Sequence, residues 1–156
     1  KAAIPSKLGL AKATDKASDV ICSGDGSMGI WSSVAEVEGV GGIKGFRCTN
    51  NSAGLGTDRM SDPKWQAPAN GALSFRFYCT EPQTLVFTAG DYSGEIAITA
   101  SDNWQEMVIP KEKLFNLHNQ KVSLSDWGKV ANISFKPKSG SDITKIIFAQ
   151  FKWVVK

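Results

Sequence analysis

The chain has 156 residues, 42% of them hydrophobic and 21% charged, with 15 glycines, which is the size and composition of one globular domain rich in turn formers and excludes a disordered or repetitive chain. Its net charge of +3 sits at one end: Lys1, Lys7, Lys12 and Lys16 against Asp15 give residues 1–16 a balance of 4 − 1 = +3, leaving 14 basic and 14 acidic residues in the rest. The folded part therefore lacks the basic footprint of a nucleic-acid binder, and no apolar run of roughly 18 residues offers a membrane span.

In chain order, residues 1–18 are rich in Lys, Ala and Ser with few β-branched residues, and this composition predicts a basic linker or tail ahead of a single domain over 19–156. The stretch has no apolar core of the signal-peptide kind, so the expectation is a mature or excised module. From there the pattern is strand, turn, strand, with alternation in place of helical periodicity. Strands are predicted near 31–37 and 44–49. Leu73, Phe75, Phe77 and Cys79 alternate with Ser74, Arg76 and Tyr78, the pattern of a half-buried strand. Leu85-Phe87-Ala89 and Ile96-Ile98-Ala100 follow on either side of a turn at Gly90-Asp91-Tyr92-Ser93-Gly94, then Met107 and Ile109. A helical turn is expected within 110–119, and strands again at 130–137 and 145–155. Eight or nine strands separated by Gly, Asn, Asp and Pro predict an all-β antiparallel sandwich.

Cys22, Cys48 and Cys79 are odd in number and show no C-x-x-C spacing, which argues against zinc or redox chemistry. Cys79 continues the apolar phase of its strand and reads as a small buried hydrophobe. A Cys22–Cys48 bridge is left open by the sequence.

From about Gly71 to the end, the order of features resembles the second half of a jelly-roll carbohydrate-binding module of the kind appended to plant-cell-wall polysaccharide hydrolases. The resemblance rests on Leu73-Ser74-Phe75-Arg76-Phe77, on 94–99, on Trp104-Gln105-Glu106-Met107-Val108-Ile109-Pro110, on Phe115, on Asp126-Trp127-Gly128-Lys129-Val130 with Ile133 and Phe135, and on the closing strand Ile146 to Phe151. It implies a jelly-roll fold, a polysaccharide ligand with β-glucan or another hemicellulosic chain favoured, a catalytic domain of a parent enzyme as neighbour, and secretion from a bacterium. Related modules often carry an Asp pair in the last strand that serves a structural calcium, whereas this chain has Ala149-Gln150 there; Ala has no side-chain oxygen to offer. No cofactor is then expected for ligand binding, and structural calcium elsewhere stays open.

Sugar recognition uses flat aromatic faces with hydrogen-bonding groups beside them. If Phe75 and Phe77 enter the core, Arg76 and Tyr78 point away from it. Trp104 is out of phase with Met107 and Ile109 and projects outward as well. Trp31 and Trp65 follow the turn segments 26–29 and 61–64, and Tyr92 lies at a turn centre; loops carry function more often than scaffolds do. These six residues, Trp31, Trp65, Arg76, Tyr78, Tyr92 and Trp104, are the predicted ligand contacts. Trp127 and Trp153 are assigned to the core or its rim.

Enzymatic constellations are missing: the single His118 lies in a polar segment, with neither G-x-S-x-G nor H-E-x-x-H in the chain. Glu95 and Glu106, placed on a hairpin turning at Asp102-Asn103, would stand about 13 Å apart, too far for a glycosidase pair. The rival to sugar binding is an interaction or structural sandwich packed against a catalytic neighbour.

Overall fold

A computed structural model describes residues 20–22, 34–37, 45–58, 60 and 62–155; the predicted linker at 1–18 and Trp31 lie outside the described residues. Eleven strands are present among them: β1 Val20–Cys22, β2 Val34–Val37, β3 Gly45–Cys48, β4 Leu55–Thr57, β5 Gly71–Tyr78, β6 Gln83–Ala89, β7 Tyr92–Ile98, β8 Gln105–Pro110, β9 Phe115–Asn116, β10 Ile133–Pro137 and β11 Ile147–Val155. They form two antiparallel sheets. One runs β2-β3-β11-β5-β8, with β1 also paired to β11; the other runs β4-β10-β6-β7-β9. The chain passes from one sheet to the other between β3 and β4, β4 and β5, β5 and β6, β7 and β8, β8 and β9, and β10 and β11, and this alternation is the jelly-roll connectivity of a double-sheet sandwich.

The period-two pattern of the longer strands builds the core. Leu73, Phe75 and Phe77 from β5 and Leu85, Phe87 and Ala89 from β6 are buried, as their alternation requires. Phe75 stacks on Phe151 within its own sheet at 4.9 Å and meets Phe135 of the other sheet edge-on at 5.5 Å. Phe135 in turn packs on Phe87 at 4.7 Å. Offset and edge contacts of this kind add to area burial and fix how the sheets interdigitate.

The β6–β7 hairpin closes through Gly90 and Asp91, with Ala89 opposite Tyr92. Gly90 has φ +59 and nothing near an added Cβ, so glycine is used there for conformation and not for space.

β11 carries one residue more than β5 opposite it. Ala149 pairs with Arg76 and Lys152 with Ser74, with the register shift between them, and Gln150 adopts φ +53. This is a β-bulge: two residues, Gln150 and Phe151, face the single Phe75. Phe148 and Phe151, three apart in sequence, consequently both enter the core.

One sequence expectation needs correction, and one question that the sequence left open is answered. β7 and β8 do not form a hairpin; β7 pairs with β6 and β9, while β8 pairs with β5 in the other sheet. The intervening residues 99–104 cross the sandwich rather than turning back along it. Cys48 and Cys79 are buried free thiols, so no Cys22–Cys48 bridge forms. Burial pushes the Cys48 thiol up to about 12, and burial also raises Cys79, against the lowering effect of its hydrogen bond to the Glu81 carbonyl. The helical turn expected within 110–119 is a single 3-10 turn at Lys111–Lys113 followed by β9.

Candidate functional site

Strand registers place Arg76 and Tyr78 on the outer face of the six-stranded sheet, away from the core. Ala35, Arg47, Ile147 and Tyr78 lie in one row across β2, β3, β11 and β5. Ala149, Arg76 and Glu106 form the next, and Lys152, Ser74 and Val108 the third. Gly45 lets β3 lie close against β11, since a Cβ there would lie 2.6 Å from the Phe148 carbonyl oxygen.

Three of the six predicted contacts meet here. Tyr78 is half-buried and lies against Trp104, ring centroids 5.9 Å apart and 53° between planes. Alternation gave the direction of Trp104 correctly, but the ring is only 9% exposed. It joins Ile147 and Ala149 in a small apolar cluster that Val37 and Tyr78 pack against. Trp104 is therefore packed beside Tyr78, against Ile147 and Ala149, and is not the open stacking platform that the sequence predicts.

Arg76 is held in a network. Its Nη1 donates to Glu106 Oε1 at 3.3 Å and its Nε to Gln150 Oε1 at 3.3 Å, while Ser74 Oγ donates to Glu106 Oε2 at 2.8 Å. The Arg76 side chain is 11% exposed and that of Glu106 is 39% exposed. The carboxylate is thus the end of the network that meets solvent, with its donors fixed beneath it; such a group accepts hydrogen bonds from ligand hydroxyls without having to be ordered first.

The sequence reading put Ser74 on this face but singled out none of Glu106, Ser74 and Gln150 as part of the site. Glu106 and Ser74 share the phase of Trp104 and Arg76, so alternation contained the signal. Gln150 reaches Arg76 only through the bulge, which nothing in the local pattern announces.

The other predicted contacts lie elsewhere. Trp65 is 1% exposed and belongs to the main core, because a 3-10 turn at Pro63–Trp65 folds its loop over one end of the sandwich. Its carbonyl accepts from Trp153 Nε1 at 3.0 Å, and Trp153 packs on Trp127 at 5.1 Å. Trp127 donates to the Gly71 carbonyl at 2.9 Å. Trp65 is a lid, and the cleft of about 460 Å³ beside it and Trp127 is offered little of its ring. Tyr92 begins β7 in the inward phase and packs half-buried against the core of the other sheet, so it cannot join Arg76 and Tyr78. Among the described residues no three His, Cys, Asp or Glu side chains are grouped to hold a metal ion, and no helix is long and apolar enough to cross a membrane.

With that geometry, the chain is similar in fold to carbohydrate-binding modules. It superposes on the family 11 carbohydrate-binding module of the cellulosomal cellulase Lic26A-Cel5E of Clostridium thermocellum with a TM-score of 0.59 and 14% identity, covering 86% of this chain and 92% of that one. A family 11 module from Clostridium thermocellum in complex with a β-1,3-1,4-mixed-linked tetrasaccharide gives a TM-score of 0.52 at 14% identity, with 79% and 82% covered. No protein-family model matches this sequence, and no curated protein is similar to it at a significant level. The fold is that of the jelly-roll β-sandwich modules that bind carbohydrate.

Proposed function

We propose that this chain is a non-catalytic polysaccharide-binding module and that its ligand lies on the outer face of the six-stranded sheet, over Tyr78 and the Arg76–Glu106 pair. The observation that carries this reading is the meeting of an aromatic ring, packed against Trp104, with a prearranged carboxylate and guanidinium on one face. Ring and charge pair together supply the apolar contact and the directional hydrogen bonds that a pyranose requires.

A β-glucan or related hemicellulosic chain is the favoured ligand, supported by the fold neighbour crystallised with a mixed-linkage tetrasaccharide. The module would serve a secreted bacterial enzyme by holding its catalytic domain at the substrate, and recognition would use no metal. Glu95 and Glu106 do not form a hydrolytic pair: they belong to the outer faces of opposite sheets, which separates them by more than the sheet spacing of about 10 Å.

The test is native gel electrophoresis with β-glucan, xyloglucan, xylan, mannan or pectin in the matrix. Retardation by β-glucan or another hemicellulose, lost in Arg76→Ala, supports the reading. Retardation by none of them overturns it in favour of the interaction or structural sandwich.

A further inference from the structure

The outer face of the six-stranded sheet is unevenly charged. Among the described residues, the outward positions of its strands carry three cations, Arg47, Arg76 and Lys152, against one carboxylate, Glu106. The chain beyond residue 16 has as many acidic as basic residues, so this excess belongs to the face and not to the composition. The carboxylate is already committed: it accepts from Arg76 Nη1 at 3.3 Å and from Ser74 Oγ at 2.8 Å. A surface with such a balance draws an anionic group from a ligand.

Arg47 sets where that group would lie. It is exposed on β3, in one row with Ile147 of β11 and Tyr78 of β5. Two strand spacings, about 10 Å, separate its backbone from that of Tyr78. Among the described residues Arg47 belongs to no ion pair. Glu81, the acidic residue that follows β5, is held by Lys145 at 3.1 Å, and Glu106 is held by Arg76 on the far side of β5.

Between the two guanidinium groups the surface is apolar. Trp104, Ile147 and Ala149 form one cluster, and Val37 and Tyr78 pack against it. Ile147 lies between Arg47 and Tyr78, and Ala149 stands beside Arg76 in the next row. A sugar ring over Tyr78 therefore has an apolar floor, with the Arg76–Glu106 pair on one side and the cation of Arg47 on the other. A wholly neutral chain would use the floor and the pair but leave Arg47 to water. A carboxylate on the sugar would meet its planar fork with two parallel hydrogen bonds. Repulsion from Glu106 would disfavour the reversed placement, so the same charges that attract the ligand also orient it.

We propose that the ligand of this face is an acidic saccharide, a hemicellulosic chain bearing a uronic acid, whose carboxylate is bound by Arg47 while a neighbouring sugar lies over Tyr78. The inference rests on the polysaccharide-binding reading above and adds to it the charge of the ligand and the residue that selects for that charge.

Isothermal titration of the full chain with four ligands tests it: xylotetraose carrying one glucuronic acid branch, the methyl ester of that compound, unbranched xylotetraose, and a β-1,3-1,4-mixed-linked tetrasaccharide. The free acid is expected to bind about fivefold more tightly than its ester, an increment of the size that an exposed ion pair gives. The advantage should shrink in ~1 M salt, where screening acts beyond about 3 Å. Arg47→Ala should bring the acid down to the affinity of the ester while leaving the ester's affinity and the melting temperature unchanged, and Arg47→Lys should restore part of the preference. Equal affinity of the parent for acid and ester, or a preference that survives Arg47→Ala, overturns this inference alone. Binding of the mixed-linked tetrasaccharide and none of the other three also overturns it alone. Binding of none of the four overturns it together with the proposed function.

Discussion

Arg76 and Glu106 stand opposite each other across β5 and β8, and the mostly buried guanidinium is bound to the exposed carboxylate on one side and to Gln150 on the other. Each partner fixes the other, so the two are expected to fail together in binding. Arg76→Ala and Glu106→Ala should each abolish visible retention in a polysaccharide gel, and the double variant should be no worse than either alone. The stability cost is about 1–2 kcal/mol, more than for a fully exposed pair because Arg76 is largely desolvated. Glu106→Ala measured by retention and by melting temperature checks both parts; additive losses in the double variant would contradict a shared role.

For Tyr78, the ring and not its hydroxyl is the contact expected to matter. Tyr78→Phe should keep the affinity within about threefold, whereas Tyr78→Ala should lower it roughly 5- to 150-fold, corresponding to about 1–3 kcal/mol for an anchoring aromatic. Isothermal titration of both variants with one oligosaccharide decides it. A large loss in Tyr78→Phe would show that the hydroxyl carries the recognition.

Trp65→Ala should behave as a core substitution. Its ring is almost wholly buried beneath the loop that closes one end of the sandwich, so truncation is expected to cost about 3–5 kcal/mol. Chemical denaturation should show this loss, while the fraction still folded retains its affinity for polysaccharide.

The Cys48 thiol gives a pH dependence of known sign. It ionises near 9.0 when unperturbed and is pushed up to about 12 by burial in the folded chain. Between these values the unfolded state has lost a proton that the folded state still holds. Stability is therefore fully present below pH 9 and falls as pH rises toward 12, by up to about 1.4 kcal/mol per unit from this group. Cys48→Ala should flatten that slope relative to the parent when denaturation is followed at pH 9, 10 and 11. Equal slopes in the two proteins would remove Cys48 as the cause.

What the sequence made legible was whatever depended on local phase. The inward faces of β5 and β6 and the outward directions of Arg76, Tyr78 and Trp104 follow from period-two alternation, which a strand imposes residue by residue. The two- and three-residue strands β4 and β9 escaped because so short a run has no period to detect. Partner choice escaped too: Glu95 and Glu106 read as members of one hairpin, yet the segment between them crosses to the other sheet, and pairing between distant strands leaves no mark within either. Exposure was harder than direction: Trp104 points outward and is still packed against Ile147 and Ala149, while Phe115, in a strand too short to show a period, is the exposed phenylalanine among the described residues.

The extra residue in β11 shows where this fold accepts a cost for the sake of its surface. Removing Gln150 would let Phe151 face Phe75 directly, with Ala149 still opposite Arg76 and Lys152 still opposite Ser74, so the hydrophobic interior would be unchanged. The deletion would also relieve a non-glycine residue at φ +53, a conformation that costs on the order of 1 kcal/mol or more. A chain lacking Gln150 is thus expected to melt higher and bind less well, having lost the amide that steadies Arg76. In this strand, stability and recognition pull in opposite directions over a single position, and a selection for thermal tolerance alone would discard it.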